Sequence, residues 1–351
     1  MANVRRFFSY MRNKHVGVED LEGNYFRVTT AVEDTFFAGN VAITVRFPEL
    51  EICSIKADIK RSFNQECLQA IPILQKAVGL HIASGITKKI DGLVGAAGGC
   101  TNLANLILEG CHVAVTRVRM HLRQQAESGE LSDAQIKLRS AQLQLQQFPH
   151  LAHQCVVWST AAVQRETPQI QDQVTASPAL RLTGRTEMLR YSLSKFVGVS
   201  RLDENTFLVQ SKLLSRSHDF TVEIEIRRPG LEIITVNGRM ERSPGEECKP
   251  AIPKLQEAVG VQIERGLTTT IDRTVGRPGC PRMANLLLEG CHAFFQGTVL
   301  SLMEDLSGQR QTLSWDECKK RWLESMPMMR NTCLAYSDTS PLVQKLGIKW
   351  K

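Results

Sequence analysis

The spacing of apolar and polar positions divides this chain into one order of elements, read twice. In YFRVTT (25–30), VAITVRF (41–47) and EICSIKADIKR (51–61) apolar residues fall at about every second position, the period of a half-buried strand. Pro48 and the acidic turn after it predict a hairpin between the second and third strands. From Gln65 the period becomes helical, with Ile71, Leu74 and Val78 on one side and Gly79 closing the run. Gly85 and Gly92 punctuate a short second helix. A longer one follows in GGCTNLANLILEGCH (98–112), whose Leu, Ile and Ala interior reads as a helix buried on most sides. The predicted class is α+β, a three-stranded antiparallel sheet with helices packed on one face.

The whole order returns. Residues 15–95 align with 196–276 at a constant offset of 181, and PGCPRMANLLLEGCH (278–292) repeats the long helix at an offset of 180. LSDAQIK (131–137) and LSWDECK (313–319) each carry a helix-start signature, Ser132 with Gln135 and Ser314 with Glu317. The helix they open is four residues shorter in the second copy, and QFPHLAHQCVVWS (147–159) then matches SMPMMRNTCLAYS (325–337). Two tandem homologous domains are expected, 1–160 and 186–351, joined by a polar linker with two prolines at 161–185. Repeats of this length do not make a solenoid; they predict an internal dimer about a pseudo-two-fold axis.

Composition narrows the partners. Of 351 residues, 43 are basic and 36 acidic, giving +7 without a dense basic block. No phosphate-cradling loop or aromatic-interleaved basic face appears, which argues against nucleic acid. The N-terminus lacks an apolar segment of signal-peptide length, and no uninterrupted apolar run suggests a membrane span. A cytoplasmic, reducing setting is therefore expected for the ten cysteines, as thiols or metal ligands.

Four of those cysteines recur at matching positions: Cys67, Cys100, Cys111 and Cys155 against Cys248, Cys280, Cys291 and Cys333. Cys100 and Cys280 stand at the first turn of the long helix, where free N–H groups and the dipole favour a thiolate. Cys111 and Cys291 lie eleven residues on, about 16 Å along the helix, too far to share a metal, and are read as buried filler. If Cys67 and Cys100 open helices beside one sheet edge, they converge on one metal, with Cys155 as candidate for a further ligand. Cys248, Cys280 and Cys333 offer the same set, and soft thiolates select zinc or an iron–sulfur cluster. Without metal the paired sulfurs are expected to relax to roughly 6–8 Å. Buried small hydrophobes remain the alternative.

A second constellation lies on the long helix. Asn105, Glu109 and His112 form one polar stripe, repeated by Asn285, Glu289 and His292. Glu-x-x-His on facing helices is the ligand unit of di-iron carboxylate bundles; a hydrogen-bonded seam between domains is the alternative. A buried Glu109 is expected to face an arginine, a histidine or a metal. Arg61 and Arg242, each followed by serine, are candidates for an anion or a salt bridge.

VAITVRF, SIKADIKRSF, ECLQAIPILQKAVG and GCTNLANLILEGC together resemble the U-type iron–sulfur scaffold proteins, the NifU N-terminal family, over about 75 residues of each copy. By that resemblance Cys67 and Cys248 fill the second cysteine position of the scaffold and Cys100 and Cys280 the third. Ala38 or Asp219 occupies the first cysteine position, Asn40 or Thr221 the aspartate, and Gly99 or Gly279 the histidine. The Gly-Cys-Thr-x-Leu helix and the terminal Cys-aromatic segment are also similar to a bacterial family of no assigned function. The expectation is a metal or iron–sulfur binding protein, a scaffold, carrier or accessory subunit working with a redox enzyme or assembly factors. The alternatives are a metal-free interaction subunit, or an enzyme using the paired Glu-x-x-His motifs.

Overall fold

Each repeat contributes four strands, not three, and all eight join in one sheet. The computed structural model describes residues 8–126, 132–148, 152, 154–156, 158, 189–308 and 313–350. The first repeat supplies β1 (Tyr10–Asp20), β2 (Tyr25–Asp34), β3 (Ala38–Arg46) and β4 (Glu51–Arg61). The second supplies β5 (Leu189–Arg201), β6 (Thr206–Ser215), β7 (Asp219–Arg227) and β8 (Glu232–Arg242). The order is β4-β3-β2-β1-β5-β6-β7-β8, antiparallel at every step. The expected pair of separate three-stranded sheets is thus corrected by β1 and β5, which join each other across the middle. Their apolar alternation is broken by charge, because inward positions hold Lys14 and Lys195. The expected linker at 161–185 lies outside the described residues.

The register of the central pair fixes the symmetry. Tyr10 stands opposite Val199, Val16 opposite Leu193, and Lys14 opposite Lys195. Lys14 and Lys195 are also equivalent by the repeat offset of 181. A strand position whose partner is its own equivalent sits on the pseudo-two-fold axis, so the axis passes between these two lysines.

Helices cover one face. α1 (Ile86–Val94), α2 (Thr101–Ala126) and α3 (Asp133–Gln147) belong to the first repeat. The second supplies α4 (Leu267–Ile271), α5 (Pro281–Gly308), α6 (Trp315–Ser325) and α7 (Pro341–Leu346). Both predicted capping boxes form, Ser132 with Gln135 and Ser314 with Glu317, and α6 is four residues shorter than α3. The helix expected from Gln65 is instead two 3-10 turns, Gln65–Ala70 and Pro72–Ala77, and Glu246–Ala251 and Pro253–Ala258 repeat them. Pro72 and Pro253 lack the N–H that would carry a continuous helix through the junction.

One hydrophobic core runs through both repeats, with Tyr10, Phe26, Phe47, Phe207, Phe220, Phe294 and Trp322 almost fully buried. One helical stretch, Pro281–Met303, is long and apolar enough to cross a membrane by length and composition, although Arg282 and Glu289 interrupt it. It lies on the sheet with 67% of its most apolar window buried.

The Glu-Gly-Cys-His motif explains the close packing of α2 and α5. A Cβ on Gly110 would stand 3.1 Å from Ile43 Cδ1, and one on Gly290 3.0 Å from Ser211 Oγ. Cys111 and Cys291, next in the motif, are fully buried, as filler should be. Gly110→Val or Gly290→Val is therefore expected to push the helix off the sheet and cost about 1–3 kcal/mol. Urea unfolding of each variant measures this, and a midpoint equal to that of the parent chain would contradict the packing account.

Candidate functional site

The axis carries a buried charge cluster. Glu109 on α2 and Glu289 on α5 reach down to the lysines of the central strands. Lys14 Nζ donates to Glu289 Oε1 at 2.9 Å and stands 3.7 Å from Glu109 Oε2. Lys195 Nζ bonds Glu109 closely, Glu289 Oε1 at 2.8 Å and Asn285 Oδ1 at 2.6 Å. Two ammonium groups and two carboxylates balance, which makes their burial tolerable. Burial alone would raise both glutamates, but Lys195 and Lys14 outweigh it and hold each below the ordinary carboxylate value. Burial would likewise lower Lys195, but Glu109 and Glu289 raise it.

Lysine thus takes the place that sequence reasoning gave to an arginine, a histidine or a metal. A signal was present: both copies keep a lysine in phase with the inward valines of its strand, in KHVGV and KFVGV. The histidines of the stripe do not join the ion pairs. His112 and His292 are exposed on the helices, while their Glu neighbours are buried.

The cysteines collect at two other places, one per repeat. Cys67 lies in the first 3-10 turn after β4, and Cys100 immediately precedes α2. The third member comes from the other repeat. Leu334 N donates to Gly99 O at 2.7 Å, and Thr101 Oγ1 bonds Thr332 O, so Cys333 is held over Cys67 and Cys100. The equivalent bond, Val156 N to Gly279 O at 3.0 Å, brings Cys155 to Cys248 and Cys280. Each tail therefore crosses the axis and covers the cysteines of the opposite repeat. Sequence reasoning had matched Cys155 with Cys67 and Cys100; the crossing exchanges the assignments.

The two clusters differ electrically. Cys67 is placed to donate to Cys100, and with the N–H groups of Leu103 and Asn102 this outweighs burial and lowers Cys100 to about 7. Cys67 is raised by the same hydrogen bond, by burial and by the neighbouring Cys100 and Cys333 sulfurs. Burial pushes Cys333 up to about 11. In the second cluster burial raises Cys280 despite the helix-start N–H groups of Met283 and Arg282 and the charge of Arg282. Cys248 is also raised by burial, and Cys155 lies within electrostatic reach of both. Among the described residues, no three His, Cys, Asp or Glu side chains are grouped as they stand to hold a metal ion. Arg61 bonds Asp34 O at 2.5 Å, and Arg242 bonds Ser215 O at 3.0 Å.

Fold and sites define a duplicated α+β protein whose halves share one sheet and cover each other's cysteines. The chain belongs to the family described as "Protein of unknown function (DUF2889)", matched at residues 19–116 and 202–296, more than half its length. The matched regions take in Cys67, Cys100, Glu109 and their counterparts, and leave out Lys14, Lys195, Cys155 and Cys333. No curated protein and no solved structure matches it.

The axial cluster sets a pH window. The depressed glutamates contribute stability that is complete above the unfolded carboxylate value, about 4.3, and is lost as pH falls through their lower folded values. The raised Lys195 contributes stability that is complete below the unfolded lysine value, about 10.4, and is lost as pH rises through its higher folded value. Glu289→Gln is expected to cost about 3–5 kcal/mol between those limits, because it leaves excess buried positive charge. Denaturation across pH tests this; a loss that does not shrink on acidification would contradict the cluster's role.

Proposed function

We propose that the protein binds a soft metal, zinc or an iron–sulfur cluster, at its two three-cysteine clusters, and acts as a carrier or accessory subunit of a redox enzyme. The observation that carries this reading is the exchange of tails, which delivers a third thiol to each pair in both repeats by the same backbone bond. Three soft donors from three separate elements match the ligand preference of thiophilic ions. Metal binding also couples to folding, so a site that is not preformed in the metal-free chain is ordinary for such proteins. Glu109 and Glu289, the carboxylates an enzymatic reading would use, are occupied by Lys14 and Lys195, which supports a carrier over a catalyst.

A second reading rests on one observation, Cys100 at the start of α2 beside the Cys67 thiol, where the N–H groups of Leu103 and Asn102 favour a thiolate. Such a pair exchanges with an added disulfide: the Cys100 thiolate attacks, Cys67 displaces the mixed disulfide, and the reagent leaves as two thiols.

Metal analysis of anaerobically purified full-length protein, before and after reconstitution with zinc or with iron and sulfide, separates the readings. Bound metal is expected in the parent chain. Cys333→Ser is expected to empty the Cys67/Cys100 cluster, and Cys155→Ser the Cys248/Cys280 cluster. No metal above trace after reconstitution, together with a reversible Cys67–Cys100 disulfide by mass spectrometry, would replace metal binding with thiol exchange.

A further inference from the structure

The tails that cover the two cysteine clusters carry different chemistry. Over the first cluster the second repeat's tail brings an apolar and aromatic set. Trp322 packs edge-on to Tyr336, with ring centroids 6.1 Å apart, and its Nε1 donates to Thr298 Oγ1 at 3.2 Å. Over the second cluster the first repeat's tail brings Trp158, set against Arg119 on α2, whose equivalent is Val299. Arg119 Nε donates to Gln144 Oε1 at 2.6 Å, and its guanidinium lies 5.3 Å from the Trp158 ring centre. One turn away on the same helix, Thr116 Oγ1 accepts from Arg282 at 3.3 Å. Arg282 stands two residues after Cys280, where the first repeat has Asn102.

Neither arginine has a carboxylate partner among the described residues, although both are at least partly buried and most of the molecule's buried charges are paired. The groups that face Arg119 electrostatically are Arg282, Cys155 and Tyr191. Tyr191 is 5% exposed, and its hydroxyl has no hydrogen-bond partner among the described residues. A buried hydroxyl without a partner and two guanidinium groups without a carboxylate, among the described residues, suit the same ligand, an anion with several acceptor oxygens.

We propose that Arg119, Arg282 and the Tyr191 hydroxyl form an anion site beside Cys155 and Cys280, which takes a phosphate group, free or carried on a larger ligand. Planar guanidinium forks suit the tetrahedral oxygens of phosphate, and stacking on Trp158 keeps one fork oriented. The surroundings reinforce the positive potential: burial together with Arg282, Arg119 and Arg242 lowers His218 to about 3. Duplication has thus left one cluster covered by aromatic rings and one that holds an anion beside its thiols. The inference does not require metal in either cluster.

Inorganic phosphate is the probe, added to the full chain and read by thermal unfolding and by calorimetry. Phosphate is expected to raise Tm with concentration, beyond sodium chloride of equal ionic strength. Arg282→Asn and Arg119→Val, which install the first repeat's residues, are each expected to weaken binding roughly tenfold or more, as loss of one charge-assisted contact does. Tyr191→Phe is expected to weaken it less, and Arg239→Asn, on the exposed β8 edge, not at all. Arg282 is partly exposed, so its variant keeps the test intact should Arg119→Val fail to fold. Stabilisation matched by chloride, or phosphate affinity unchanged in Arg282→Asn, would overturn the proposal. Metal content of the same variant reports on the cysteine clusters separately.

Discussion

The molecule depends on one awkward pairing, Lys14 directly opposite Lys195 at the centre of an eight-stranded sheet. Two like charges facing each other in a buried strand pair are unstable unless opposite charge is brought to them. Among the described residues, α2 and α5 supply it, through Glu109 and Glu289. Joining β1 to β5 therefore requires both long helices to be seated, and seating them requires the glycine at each Glu-Gly step. Sheet, helices and symmetry axis form as one arrangement.

The exchange of tails follows from that geometry. With the two repeats back to back, each long helix runs past the axis, and the segment after it arrives over the opposite repeat. The backbone bonds from Leu334 to Gly99 and from Val156 to Gly279 then close both ends in the same way. Each cysteine cluster is thereby built from both halves, and neither is complete in one repeat alone. A domain boundary between the repeats describes the sequence but not the packing.

Symmetry of backbone has not kept symmetry of chemistry. Asp20 pairs with Arg117 by two buried hydrogen bonds of 2.9 and 2.8 Å in the first repeat. The second repeat has Arg201 and Gly297 at those positions, and a Cβ on Gly297 would come within 2.8 Å of Val199. There the helix approaches the strand directly, where the first repeat inserts an ion pair. The two cysteine clusters have diverged in the same manner, one closed over by Trp322 and Tyr336, the other by Arg119 and Trp158.

The sequence alone determined the duplication, the α+β class, the hairpin strands, both capping boxes and the filler role of Cys111 and Cys291. Each of these is set by local periodicity or by interactions a few residues apart. It also marked Cys67, Cys100 and their counterparts, because two diverged copies retained them. What it did not determine were the central strands, the lysines that meet the glutamates, and the partner each tail covers. Lys14 in a strand is ordinary surface alternation until another strand lies beside it, and Cys333 belongs to its own repeat until the chain folds across the axis. Those outcomes rest on contacts between residues 86 to 275 positions apart, and no local pattern encodes them. The tertiary structure decided them because charge balance at the axis and burial of two long helices can be satisfied together in this register.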